Sequence, residues 1–82
     1  MKVKSLKKNM TELIIGETTI LFSYETPVAC HIDGDGFYRT KKFFSATTTR
    51  HINQWLRELR VTYAKERPQE FFETLSNKRD QS

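Results

Sequence analysis

Two periods run along this chain, and they change over near Thr48. Before it, apolar residues recur at every second position. In "TTILFSY", Ile20, Phe22 and Tyr24 share one face while Leu21 and Ser23 share the other, the pleat of a β-strand. "ELII" and "TTILFSY" flank Gly16-Glu17, which predicts a tight turn between two strands. Pro27 interrupts the ladder after Glu25-Thr26 and predicts a bend. "VACHI" places Val28, Cys30 and Ile32 on one face and Ala29 and His31 on the other, as expected of a half-buried strand. Asp33-Gly34-Asp35-Gly36 supplies the positive φ angles of a hairpin turn. "FYRTKKF" is then the returning strand. Phe37, Arg39, Lys41 and Phe43 fall on one side of it, and Tyr38, Thr40, Lys42 and Phe44 on the other. Neither side is cleanly apolar, which predicts an edge strand or a working surface.

From about Thr48 the spacing becomes three and four. Ile52, Trp55, Leu56, Leu59 and Tyr63 form one stripe, predicting a long helix that packs on the sheet. One of Thr47, Thr48 or Thr49 is expected as its N-cap. Pro68 ends this helix or opens the first turn of another. In "PQEFFETLSNK", Phe71, Phe72 and Leu75 share a side, with Glu70 and Glu73 early and Lys78 and Arg79 late, an order that suits the helix dipole. The expected fold class is α+β: a small antiparallel sheet of three or four strands packed by one long helix, with a short second helix after Pro68.

Length and charge refine this picture. The chain has 82 residues, enough for one domain with a thin core. Residues 1–9 carry Lys2, Lys4, Lys7 and Lys8 without an acid and are expected as a basic flexible arm. Residues 10–78 are the expected single α+β domain, and residues 79–82 a frayed tail. The net charge of +4 favours an acidic partner, such as nucleic acid or an acidic protein surface. The lone Cys30 forms no intrachain disulfide. No apolar run approaches the roughly 18–20 residues that span a bilayer, and no signal-peptide stretch follows the basic start. A cytoplasmic protein without a membrane partner is the expectation.

Candidate chemistry is sparse. Cys30, His31, His51, Asp33 and Asp35 are metal-ligand types, but their spacing matches no structural zinc site or calcium loop. Turn chemistry accounts for the Asp-Gly pairs. Cys30 and His31 point to opposite faces of their strand and make a poor nucleophile–base pair. A Cys30–His51 pair would need the strand and the helix to bring them together. There is no phosphate-binding glycine loop and no nucleophile elbow. No enzyme activity, no cofactor and no metal are expected.

The basic segment says more. Between Asp35 and Glu58 the chain has no acidic residue, and Arg39, Lys41, Lys42, Arg50 and Arg57 all fall there. Cations position a phosphate backbone and exposed aromatics stack on bases. Tyr38 is the expected stacking residue. Thr48, Thr49 and Arg50 are expected to hold one phosphate at the helix start, because a first turn favours acids and a cation there is otherwise unexplained. An internal acid such as Glu25, folded over that turn, is the alternative for Arg50. A solvated basic face accounts for the same charges equally well.

"FSYETPVA", "YRT", "TTTRHINQWL" and the later "RPQEFFETL" together resemble a family of small uncharacterised proteins from bacteriophages and other mobile elements. The resemblance implies an intracellular and viral setting; it transfers no activity and no site residues, and it leaves out the amino-terminal arm. The expected function is a small non-catalytic protein that engages nucleic acid through its basic hairpin and helix-start surface. The alternative is a phage-type inhibitor that binds and blocks a host protein complex, for example defence or transcription machinery. An oligomer-forming accessory role is a third reading.

Overall fold

The computed structural model describes residues 2–77. The chain forms β1 (Lys2–Lys7), β2 (Met10–Ile15), β3 (Thr18–Ser23), β4 (Thr26–Ile32), β5 (Gly36–Thr40), α1 (Ala46–Glu58), β6 (Lys65–Arg67) and α2 (Gln69–Asn77). The six strands make one sheet whose spatial order follows the chain. β1 to β5 pair antiparallel, and β6 pairs parallel to β5. The sheet is mixed because α1 carries the chain back to the start of β5, so the next strand runs the same way.

The protein is α+β, but the expected sheet of three or four antiparallel strands under one long helix is wrong. The two strands outside that reading, β1 and β6, lack the apolar alternation on which it relied. β1 is an edge strand exposed along nearly its whole length, so its lysines are solvated on both faces. The segment expected as an arm is therefore paired to β2. β6 is three residues long and wholly polar, and sits at the other edge.

The long helix is also shorter than its stripe implied. Leu59 is the C-cap and Arg60 adopts φ 60°. The Arg60 amide donates to Arg57 O at 3.0 Å and the Val61 amide to Leu56 O at 2.8 Å. This is a Schellman ending with arginine in the left-handed position that glycine usually fills. Val61 packs on the same cluster as Leu56, completing the apolar contact of the motif. Leu59 and Tyr63, expected in the core, are exposed beyond it. Lys78, Arg79 and the tail lie outside the described residues.

The two helices cover opposite faces of the sheet. On one face Met10, Leu21, Val28 and Ala29 pack beneath Ile52, Trp55 and Leu56 of α1. On the other, Leu13, Ile20, Phe22, Cys30 and Tyr38 pack with Phe72 of α2. A bulge in β4 adjusts this division. Leu21 pairs with Ala29 and Phe22 with Pro27, leaving Val28 as an extra residue. Val28 and Ala29 consequently join the same cluster, although strict alternation had separated them. Pro27 is accommodated at this bulge and does not end the strand. α2 is tied down by the Gln69 side-chain amide, which donates to Pro27 O at 2.8 Å.

Candidate functional site

The sequence directs attention to the start of α1, and the structure places that start earlier than expected. Ser45, not one of the three threonines, is the N-cap, and its hydroxyl accepts from the Thr48 amide at 3.1 Å. Arg50 is thus the fifth helical residue and leaves the first turn, where a cation is disfavoured. Its guanidinium donates to Thr47 Oγ1 at 3.3 Å. Glu25 lies instead beside Leu13 and Phe22, whose side chains pack on the α2 face of the sheet.

Thr48 points inward. Its hydroxyl lies 3.0 Å from Ser23 Oγ, and Ser23 Oγ lies 2.7 Å from His51 Nδ1. These groups form a buried polar seam between β3 and α1. Ser23 reaches it because Ile20 and Phe22 occupy the opposite face of β3, leaving Ser23 on the α1 side. Thr48 is therefore a packing residue, and Thr49 is half-buried. Burial lowers the pKa of His51 from its ordinary value, and the Lys7 and Arg50 charges lower it further. His51 is a buried ring on the inner flank of α1.

Tyr38 leaves the surface altogether. It is 4 % exposed, packed in the α2-side cluster, with the Arg67 guanidinium 4.9 Å above its ring. A base cannot reach that face. A hydrogen bond with Asp35 raises the pKa of its hydroxyl, with burial as the next cause.

Arg39, on the other face of β5, comes together with α1. Its guanidinium donates to Asn53 Oδ1 at 3.1 Å. Arg39, Asn53 and Arg57 then border an open groove of about 580 Å³ that continues past Val61, Tyr63 and Glu66. Tyr63 is 73 % exposed at this groove. The Schellman ending puts it there by turning the chain out of the helical path at Arg60. Nothing in the sequence marks Tyr63 as exposed, since its spacing extends the apolar stripe.

Lys41 and Lys42 lie on the loop between β5 and α1, and both are exposed. The Lys41 amide donates to Arg67 O at 2.9 Å, which fixes the loop beside the end of β6. Lys42 Nζ sits 5.1 Å from the Phe44 ring centroid. Phe43 between them projects into solvent.

The arrangement offers no nucleophile–base pair around Cys30. Cys30 faces α2 and His51 faces α1, so the sheet separates them. Burial, then the Asp35 charge, pushes the Cys30 thiol up to about 12. Among the described residues, no three His, Cys, Asp or Glu side chains come together as a metal site. No described helix is long and apolar enough to cross a membrane.

A family model matches residues 1–74 of this chain. The chain belongs to DUF8033, a family of unknown function. No curated protein and no solved structure matches it. The DUF8033 match includes the lysine-rich β1, which the resemblance drawn from "FSYETPVA" and "TTTRHINQWL" left out. It assigns no phage or mobile-element origin and no activity, so for this DUF8033 chain the groove and the seam are read from their chemistry alone.

Proposed function

We propose that this protein is a non-catalytic module that binds single-stranded nucleic acid along the groove edged by Arg39, Arg57 and Tyr63. The carrying observation is the placement of a 73 %-exposed tyrosine beside two arginines in one open groove. Cations follow a phosphate backbone, and an aromatic platform stacks a base whose face is free, which a duplex does not provide. Asn53 holds the Arg39 guanidinium in place at 3.1 Å. Arg50 and Arg57, two turns apart, extend the cationic face along the outer side of α1. Lys41 and Lys42 extend it along the neighbouring loop. Among the described residues Glu66 is the one acid lining the groove, and it limits how closely a phosphate approaches β6.

The test is binding of a labelled single-stranded oligonucleotide, measured by anisotropy over a range of salt. Tyr63→Ala should weaken binding by about 1–3 kcal/mol, the usual worth of one stacked base, and leave the salt slope unchanged. Arg57→Ala should lower the slope by about 0.7, the value for one phosphate contact on a single strand. Wild-type protein that binds no single strand at low salt, or that binds with no salt dependence, overturns the proposal.

A second reading is a phage-type inhibitor that docks on a host protein. Phe43 favours it, being 73 % exposed on a loop flanked by Lys41 and Lys42. Such an anchor suits an apolar pocket rimmed by acids. A complex recovered from host lysate after nuclease treatment, and lost in Phe43→Ala, would support it over nucleic-acid binding.

A further inference from the structure

A second cavity, of about 330 Å³, opens where the end of α1 meets the sheet. Thr19, His31 and Phe37 are register partners in turn across β3, β4 and β5, so they form one row on a single face. Glu12 reaches the cavity from β2, and Trp55 and Leu59 close it from α1. Its base is aromatic. The Phe37 ring centroid lies 4.3 Å from that of His31, at 31°, and 5.9 Å from that of Trp55, at 66°. Glu12 Oε2 accepts from Trp55 Nε1 at 2.7 Å, which fixes the carboxylate. Glu12 Oε1, the Thr19 hydroxyl and the His31 ring nitrogens have no hydrogen-bond partner among the described residues. Gln69 Oε1 is the one such side-chain atom that is buried, so the others open to solvent.

We propose that this cavity is a guanine subsite for the strand that follows the groove edged by Arg39, Arg57 and Tyr63. The two are neighbours. Phe37 precedes Arg39 by two residues on the same face of β5, a separation of about 7 Å. On α1, Trp55 and Leu59 line the cavity while Leu56 and Arg57 between them line the groove. The subsite rests on the groove reading, because the groove is what brings a strand to its mouth.

A fixed carboxylate selects among bases by what their edges donate. Guanine carries N1–H and the N2 amino group side by side, and so meets both carboxylate oxygens at once; Oε2 keeps a lone pair beside its bond to the indole. Adenine and cytosine present one amino group next to an acceptor nitrogen, which the carboxylate repels. Thymine presents one N–H between two carbonyls. Guanine O6 then needs a donor, and the Thr19 hydroxyl and the His31 imidazole each have one, whichever tautomer the ring holds. Phe37 and the 46 %-exposed Leu59 offer apolar surface to the face of the base. A lone ammonium group would satisfy the carboxylate but leave that surface and most of the volume unused. Lys4, the exposed register partner of Glu12 on β1, offsets the carboxylate's repulsion of the phosphate backbone.

Trp55 is the chain's single tryptophan, so its indole N–H gives one NMR resonance that reports on Glu12. Three short oligothymidylates are compared at fixed salt, with thymine, guanine or hypoxanthine at the central position. The guanine strand should bind about tenfold tighter than the all-thymine strand and shift the indole resonance. Hypoxanthine lacks the N2 amino group and should lose most of both effects. Glu12→Gln keeps an acceptor for the indole but replaces the open oxygen with an amide N–H₂, so it should remove the difference between guanine and thymine strands. Wild-type protein that binds the thymine strand without preferring guanine overturns the subsite and leaves the groove standing. A preference that persists in Glu12→Gln also overturns it. Guanosine monophosphate, compared with inosine monophosphate, reads the subsite without the groove. An indole shift from guanosine monophosphate alone, in a protein that binds no thymine strand, supports the subsite and removes the groove. An indole resonance unmoved by both guanosine monophosphate and the guanine strand overturns the subsite.

Discussion

Ser23 on β3 and His51 on α1 are joined hydroxyl to imidazole at 2.7 Å, and this contact joins the first turns of α1 to the sheet. Ser23 also meets Thr48 at 3.0 Å, so one small side chain satisfies two buried partners. Ser23→Ala would leave His51 Nδ1 without its partner, while Thr48 Oγ1 would keep the Ser45 hydroxyl. A loss of about 1–3 kcal/mol is expected, read as a lower urea midpoint with an unchanged m-value.

The same ring makes stability depend on pH. Burial and two cations hold the folded-state pKa of His51 below its unfolded value. The unfolded chain therefore binds the proton more readily. The contribution is present above the unfolded pKa of about 6.5 and is lost as pH falls through the folded pKa. Urea midpoints for wild type and His51→Gln should converge on acidification from pH 7.5 to pH 5. Parallel curves would remove His51 as the cause.

The capping position is testable by comparison among neighbours. Ser45→Ala should destabilise by about 1 kcal/mol, since it frees the Thr48 amide. Thr49→Ala should cost less, its side chain being neither cap nor core. Equal effects in thermal melts would mean the helix does not start at Ser45.

Arg60 gives a prediction of opposite sign. It occupies φ 60° at the end of α1 with a side chain that resists that conformation. Arg60→Gly should stabilise the fold by about 0.5–1 kcal/mol. A lower melting temperature would show that the arginine side chain contributes more than its backbone costs.

Cys30 should behave as a reporter of unfolding. Its thiol is fully buried and held at about 12, so thiolate is scarce at neutral pH. Alkylation at pH 8 should be slow in the native protein and complete in denaturant. The raised pKa also adds stability that is full below the unfolded thiol's range near 8.5 and disappears as pH climbs through about 12.

The buried side of α1 was legible because Ile52, Trp55 and Leu56 contrast with exposed neighbours at helical spacing. The middle of the sheet was legible as a run of apolar β-formers, Ile20 to Phe22, although burial there is continuous because both faces are covered. The edges were not, because Lys2, Lys4 and Lys65 are solvated whichever way they point and leave no period to read. The site suffered from the same source. Tyr38 and Tyr63 are equivalent as letters, yet one lies under Arg67 and the other stands in solvent after a left-handed Arg60. The end of α1 decided this, and arginine is not a residue that signals such an end. Arg39 and Arg57 were found from charge alone, but Asn53, which holds the Arg39 guanidinium, has no charge to be noticed.

The sheet's order repeats the order of the chain, and this has a consequence for how the molecule is made. Each antiparallel partner appears immediately after the strand it pairs with, so the first five strands can assemble during synthesis from contacts short in sequence, a pattern associated with fast folding. Until α1 emerges, however, Met10, Leu21, Val28 and Ala29 have nothing over them, and until α2 emerges neither do Ile20 and Cys30. Both faces of the nascent sheet are thus open together, and a slowly translated or truncated chain ending before residue 46 would be the species most in need of a chaperone.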